Sequence, residues 1–114
     1  MEHSINWIND NAEKNLETIG RKSLERRISD LEKYLNIGSF GDYGLSFDYV
    51  DQDYFRYQLS WGGPSDEIRF YKNGAIEYVY MDWFCGIGFN VNTDSTFKSL
   101  RDYFTDLGML NFEE

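Results

Sequence analysis

Proline, cysteine and histidine each occur once among the 114 residues, and each scarcity excludes a class of structure or chemistry. Because Cys85 is alone, no disulfide can form within the chain, which is typical of a protein of a reducing cytosol. Because His3 is the only histidine, the usual zinc site and a histidine-based catalytic triad both lack a necessary group. The sequence therefore predicts no cofactor and offers no recognisable catalytic motif.

Long hydrophobic runs are also missing, and so is an excess of basic residues. No segment approaches the ~18 apolar residues of a membrane span, so we expect a soluble, cytoplasmic protein with no membrane partner. The net charge is −9, and residues 39–114 hold thirteen acidic residues against five basic ones. An anionic body repels nucleic acid and attracts basic proteins. The sequence therefore predicts a basic protein partner and no direct binding of nucleic acid.

Aromatic residues make up 18% of the chain, which is a high share, and they do much of the packing that leucine and valine do in other proteins. Each buried ring removes roughly 150–250 Å² from water, so a few rings can fill a thin core. The length predicts one domain over residues 1–114.

Two apolar patterns of helical period occupy residues 4–36 and predict an N-terminal helix or helix pair. Gly20 lies between the two sets and favours either two helices or one bent helix. A second helical pattern predicts a C-terminal helix over residues 94–107, capped by Thr93 or Asp94. The apolar positions are Ile5, Ile8, Ala12, Leu16 and Ile19, then Leu24, Ile28, Leu31 and Leu35, and finally Phe97, Leu100, Phe104 and Leu107.

Residues 42–83 alternate between apolar and polar side chains, which predicts strands. Pro64 cannot donate to a sheet ladder and marks a turn, and Asn73-Gly74 is typical of a two-residue type I′ hairpin. The simplest topology is a four-stranded antiparallel meander, so the fold class is α+β. Residues 84–91 are compatible with a fifth short strand or with a loop.

The alternation also divides the sheet into two faces, with Phe70, Tyr78 and Tyr80 on one face and Tyr71 and Glu77 on the other. The sequence does not show which face the helices cover. An uncovered aromatic face would meet a partner or close a homodimer.

Carboxylates are the one abundant reactive group. Asp66, Glu67 and Asp82 lie near the Gly-Gly-Pro turn, where a cluster would hold Mg²⁺ or Ca²⁺. The alternative is that Asp66 and Asp82 accept hydrogen bonds from backbone N–H groups of their own turns. Arg26 and Arg27 are interpreted as part of a solvated helix face rather than of a basic groove.

The acidic surface is also a candidate mimic of DNA. A strand of eight residues spans about 27 Å, and a duplex of that length carries roughly 16 charges. The chain is undercharged for full mimicry, so only a partial mimic that occupies a basic groove is feasible. The candidate partner-binding residues are Asp42, Asp48, Asp51, Asp53, Trp61, Asp66, Glu67, Asp82 and Trp83.

The run Leu59-Ser60-Trp61-Gly62-Gly63-Pro64-Ser65-Asp66, followed by Asp82-Trp83-Phe84, resembles a signature of small proteins carried on plasmids and integrative elements. The resemblance covers about a quarter of the chain, and it is to acidic proteins of anti-restriction or anti-CRISPR type. Usual members continue with Asp-Gly where this chain has Cys85-Gly86, which removes a carboxylate and weakens a catalytic interpretation.

The resemblance implies a non-enzymatic inhibitor of a host nucleic-acid defence nuclease, with Cas9 as its expected target. Such an inhibitor would block guide-RNA or DNA engagement through an acidic, aromatic surface. Two alternatives remain open from the residues: an immunity protein that neutralises a basic toxin, and a carboxylate metal-dependent nuclease.

Overall fold

The structure is a computed structural model that describes residues 3–11 and 14–112. It contains one antiparallel sheet, two α-helices and a short 3₁₀ helix at Phe40–Asp42. The strands are β1 (Ile5–Asn9), β2 (Ser46–Val50), β3 (Tyr54–Ser60), β4 (Pro64–Tyr71), β5 (Ile76–Asp82) and β6 (Cys85–Asn90). The α-helices are α1 (Leu16–Ile37) and α2 (Ser95–Asp106). Neither of these helices is long and apolar enough to cross a membrane.

The α+β class is correct, but the four-stranded meander is wrong. The sheet has six strands in the order β1-β6-β5-β4-β3-β2. Residues 85–90 form a fifth strand of the meander, and the N-terminal strand β1 adds to its far side. Every neighbouring pair in the sheet is antiparallel.

The helix predicted over residues 4–36 is confirmed for its larger part by α1, but it is wrong for its first residues, which form β1. Ile5, Trp7 and Ile8 are β-branched or aromatic, which favours strand once a partner is present. The partner is β6, where the Trp7 ring lies over Gly86 and Gly88 and leaves no room for a side chain at either position. Ala12 lies outside the described residues.

Helix α1 runs unbroken through Gly20 and crosses the sheet diagonally. Gly20 lies against β6, Ser23 is hydrogen-bonded to β5, and Arg27 is paired with β4. The absent side chain at Gly20 therefore allows close packing rather than a break. A Cβ at this position would lie 2.9 Å from Ile87 Cγ2 and 3.0 Å from Phe89 Cε2.

We expect Gly20→Ala to destabilise the protein by about 1 kcal/mol, although alanine gains about 1 kcal/mol of helix propensity. The reason is that overpacking a filled core costs about 1–3 kcal/mol. Urea denaturation would measure the change in midpoint. Ser29→Ala on the exposed side of the same helix is the matched control and should be neutral or slightly stabilising. A rise in stability for Gly20→Ala would show that helix and sheet are not in close contact there.

The core lies between the helices and one face of the sheet. Phe70, Tyr78, Ile87 and Phe89 point toward the helices, and Phe97, Leu100 and Phe104 of α2 pack on the same side. The predicted division of these residues between the two faces of the sheet is thus correct. The face that the helices cover is the one that holds Phe70 and Tyr78. Leu107 was expected in the α2 stripe but follows the helix end and is exposed. Asp94 caps α2 by accepting hydrogen bonds from the N–H groups of Thr96 and Phe97.

The hairpin between β4 and β5 differs from the expected type I′ turn. Only Gly74 has a positive φ, of 91°, and the Gly74 N–H donates to the Tyr71 carbonyl at 3.0 Å. The loop therefore contains one more residue than a two-residue turn. Asp66 consequently faces Tyr80 and Glu67 faces Val79. A two-residue turn at Asn73-Gly74 would instead have placed Glu67 opposite Tyr80.

Candidate functional site

Two turns at the same end of the sheet expose three large aromatic side chains. Trp61 follows β3, and Trp83 and Phe84 form the turn between β5 and β6. Their exposed fractions are 62%, 73% and 89%. We call these three residues the aromatic tip. Large exposed apolar groups that lie together are typical of protein-binding surfaces.

The sheet register brings the two turns together. Pro64 at the start of β4 is paired with Asp82 at the end of β5. The Trp83 N–H donates to the Gly63 carbonyl at 3.3 Å, and the indole ring lies over Gly63. The tip is therefore held by backbone pairing rather than by burial of its rings.

Trp83 has a left-handed backbone conformation with a φ of 58°. A bulky residue with positive φ is a genuine outlier, and its strain costs of order 1–2 kcal/mol. Glycine would fill this turn without strain. An exposed tryptophan in a strained conformation contributes little to the fold, which points to a role for the ring in binding.

Asp82 flanks the tip, and its carboxylate is paired with Lys14 at 3.5 Å. The Asn9 side chain donates to the Phe84 carbonyl at 3.4 Å and links β1 to the same turn. Of the candidate residues, Trp61, Asp82 and Trp83 thus come together at one end of the sheet.

The other candidate acids lie elsewhere. Asp51 and Asp53 occupy the β2–β3 turn at the opposite end of the sheet, and Asp48 lies on β2. Asp42 is exposed in the 3₁₀ helix. Asp48, Asp51 and Asp53 are therefore separated from the tip along the strands, and the candidate acids do not gather in one cluster around it.

Asp66 and Glu67 are 1% and 2% exposed and point to opposite faces of the sheet. Glu67 lies on the face without helices and accepts a hydrogen bond from Arg69 Nε at 2.7 Å. Asp66 lies under α1. With Asp82 paired to Lys14, the expected cluster of three carboxylates is not formed. Across residues 3–11 and 14–112, no three His, Cys, Asp or Glu side chains are placed to hold a metal ion.

Asp66 is the centre of a buried polar network between α1 and the sheet. The Arg27 guanidinium donates from Nε and Nη2 to the two carboxylate oxygens at 2.6 and 2.8 Å. The Ser60 and Tyr78 hydroxyls also donate to this carboxylate, and Ser23 Oγ lies 2.6 Å from the Tyr78 hydroxyl oxygen. Arg27 was interpreted as solvated and is instead largely buried.

The network extends outward from Arg27, whose Nη1 donates to the Tyr43 hydroxyl at 2.8 Å. That hydroxyl donates to Asp30 at 2.9 Å. Burial raises the pKa of Tyr43 to about 12, although Arg27 opposes the shift. Burial also raises the pKa of Tyr78, and the negative charge of Asp66 raises it further.

Burial acts to raise the pKa of Asp66, but hydrogen bonds from Arg27, Ser60 and Tyr78 outweigh it and hold the pKa below its usual value. Asp66 is therefore ionised and fully hydrogen-bonded inside the protein. This arrangement fixes α1 on the sheet, and it leaves neither oxygen of the Asp66 carboxylate free for a partner.

The sequence reasoning missed Phe84, the most exposed of the three tip residues. The available signal was the run Asp82-Trp83-Phe84 at a strand end, which places two aromatic residues in a turn. Gly86 and Gly88 lie in β6, where their lack of a side chain makes room for the Trp7 ring.

No family model matches this chain, and no curated protein or solved structure does so either.

Proposed function

We propose that this chain is a cytoplasmic inhibitor that binds a basic nuclease of a host nucleic-acid defence system, with Cas9 as its first candidate target. The observation that carries the proposal is the aromatic tip. Tryptophan and aromatic anchors dominate the energetics of protein interfaces, because they fill a partner's pocket with little loss of side-chain entropy.

The charge of the chain supports a basic partner over a second copy of itself. A net charge of −9 makes two copies repel each other and steers the chain toward a positively charged groove. Because Asp66 and Glu67 are buried, the exposed acids are fewer than a DNA mimic needs. Charge therefore accounts for the rate of encounter, and the tip accounts for the strength of binding.

Titration of purified Cas9, with and without guide RNA, tests the proposal. We expect saturable binding that weakens as salt rises, together with loss of guide loading or of DNA cleavage. Phe84→Ser should weaken binding more than tenfold, which corresponds to about 1.4 kcal/mol. Leu107→Ser replaces an apolar residue of 57% exposure outside the tip and is the matched control.

Absence of binding to Cas9 in both forms would reject this target. Binding that Phe84→Ser and Leu107→Ser weaken equally would reject the tip as the interface.

A further inference from the structure

The sheet has two outer strands, β1 and β2, and only β2 is paired with its neighbour without interruption. The pairing of β1 with β6 shifts register between Ile5 and Trp7, which marks a bulge. The pairing of β2 with β3 is continuous from Ser46 to Val50. Bulges protect an outer strand from added strands, so β2 is the edge that remains competent for further pairing.

The two sides of β2 present different chemistry. Phe47 and Tyr49 point toward the helices, where their rings stack on Phe55 at centroid distances of 5.4 and 4.4 Å. Tyr49 remains partly exposed. Ser46, Asp48 and Val50 alternate with them and point to the opposite face. An added strand would therefore meet aromatic rings on one side and a carboxylate on the other.

The local charge is negative. Asp48 lies at the middle of β2, and Asp51 and Asp53 follow in the next turn. The cation across from Asp48 is Arg56, whose Nη2 lies 3.6 Å from Asp48 Oδ2. Asp48 is thus the exposed carboxylate at the centre of this edge strand, and two further carboxylates follow it in the chain.

The position of Asp48 argues against pairing of β2 with a second copy. A two-fold antiparallel pairing centred on this five-residue strand places Asp48 directly opposite Asp48, and like charges in that position are destabilising. A strand that carries lysine or arginine at the same position would be attracted instead.

We propose that β2 accepts an added strand from a partner, and that this strand alternates cationic with apolar residues. Backbone hydrogen bonds would extend the sheet, the cationic residues would lie opposite Asp48, and the apolar ones would lie beside Phe47 and Tyr49. This surface is separate from the aromatic tip, and the inference does not depend on the identity of the target in the proposed function.

Synthetic peptides test the inference without Cas9. The probe is a seven-residue peptide that alternates lysine and valine, and its two controls are a peptide of equal composition with the lysines in one block and an alternating peptide N-methylated at every second residue. We expect the alternating probe to bind saturably and the two control peptides not to bind. We also expect slower amide hydrogen exchange at Ser46–Val50 when the probe is present.

Asp48→Lys should weaken binding of the alternating peptide roughly tenfold, because it removes an attraction and adds a repulsion. It should also create binding of a peptide that alternates glutamate and valine. Asp102→Lys, an equal change of charge on the exposed face of α2, is the matched control and should have little effect. Equal binding of the N-methylated and unmodified peptides, equal effects of the two substitutions, or unchanged exchange at β2 would each overturn the inference.

Discussion

Replacement of Asp66 by alanine is expected to lower the free energy of unfolding by about 3–5 kcal/mol. Removal of one partner from a buried ion pair leaves the other charge buried without compensation. Here the remaining charge is the Arg27 guanidinium, and the Tyr78 hydroxyl loses its acceptor as well. Small domains have a total stability of about 5–15 kcal/mol, so the loss is a large part of it. Urea denaturation followed by circular dichroism measures the change.

The matched control for Asp66→Ala is Asp53→Ala, which removes an exposed carboxylate from the β2–β3 turn and should change stability by less than about 0.5 kcal/mol. A double-mutant cycle with Arg27→Met isolates the pair. We expect the double variant to lose less than the sum of the single losses. Additive losses would show that Arg27 and Asp66 do not interact.

Lowering the pH should reduce the stabilisation that Asp66 gives to the folded protein. The pKa of Asp66 in the folded protein lies below its unfolded value of about 3.9. The ionised carboxylate therefore stabilises the fold above pH ~4, and this stabilisation is lost as pH falls through the folded pKa. The difference in stability between the wild-type protein and Asp66→Asn should narrow below pH 4. A constant difference would mean that Asp66 is already protonated at neutral pH.

Local patterns were sufficient to predict the strands of the central meander and the helix α2. Tyr57, Phe70 and Tyr78 alternate with polar residues, and Phe97, Leu100 and Phe104 recur at helical spacing. In these elements the division into two sides follows from the neighbours in sequence. Which side of the sheet the helices cover does not follow from them, because it depends on contacts between distant segments.

The strands β1 and β6 could not be predicted in the same way, because each depends on the other across about 80 residues of chain. The spacing of Ile5 and Ile8 fits a helix as well as a bulged strand. The decisive contact is that of Trp7 with the surface of Gly86 and Gly88, and no local window contains both parts. The one-residue error at Asn73-Gly74 has a local cause, since the same pair suits more than one loop length.

The candidate site was predicted in part. Trp61 and Trp83 were identified because they are aromatic residues at the two ends of the segment that runs from the Gly-Gly-Pro turn to Asp82-Trp83-Phe84. Asp66 was mistaken for a surface group because its burial depends on Arg27, which lies 39 residues away on another element. The presence of a charged residue in the sequence does not show whether its carboxylate is paired with a cation inside the fold.

Replacement of Trp83 by glycine is expected to weaken binding of the partner without lowering the stability of the fold. The left-handed φ of 58° costs a bulky residue of order 1–2 kcal/mol and costs glycine little. Glycine loses about 0.5–1 kcal/mol in backbone entropy, and the exposed ring contributes little burial. The free energy of unfolding should therefore stay level or rise by up to about 1 kcal/mol.

Binding to Cas9 should weaken at the same time by at least about 30-fold, because an interface tryptophan contributes roughly 2 kcal/mol or more. Trp83→Ala supplies the control, since alanine loses the ring but retains the strain at positive φ. Both variants should lose binding. The alanine variant should stay close to the wild-type protein in stability, and the glycine variant should be the more stable of the two because it alone relieves the strain. If Trp83→Gly binds as the wild-type protein does, the strained ring has no part in recognition. If it unfolds more readily, the ring is required by the fold through its contact with Gly63.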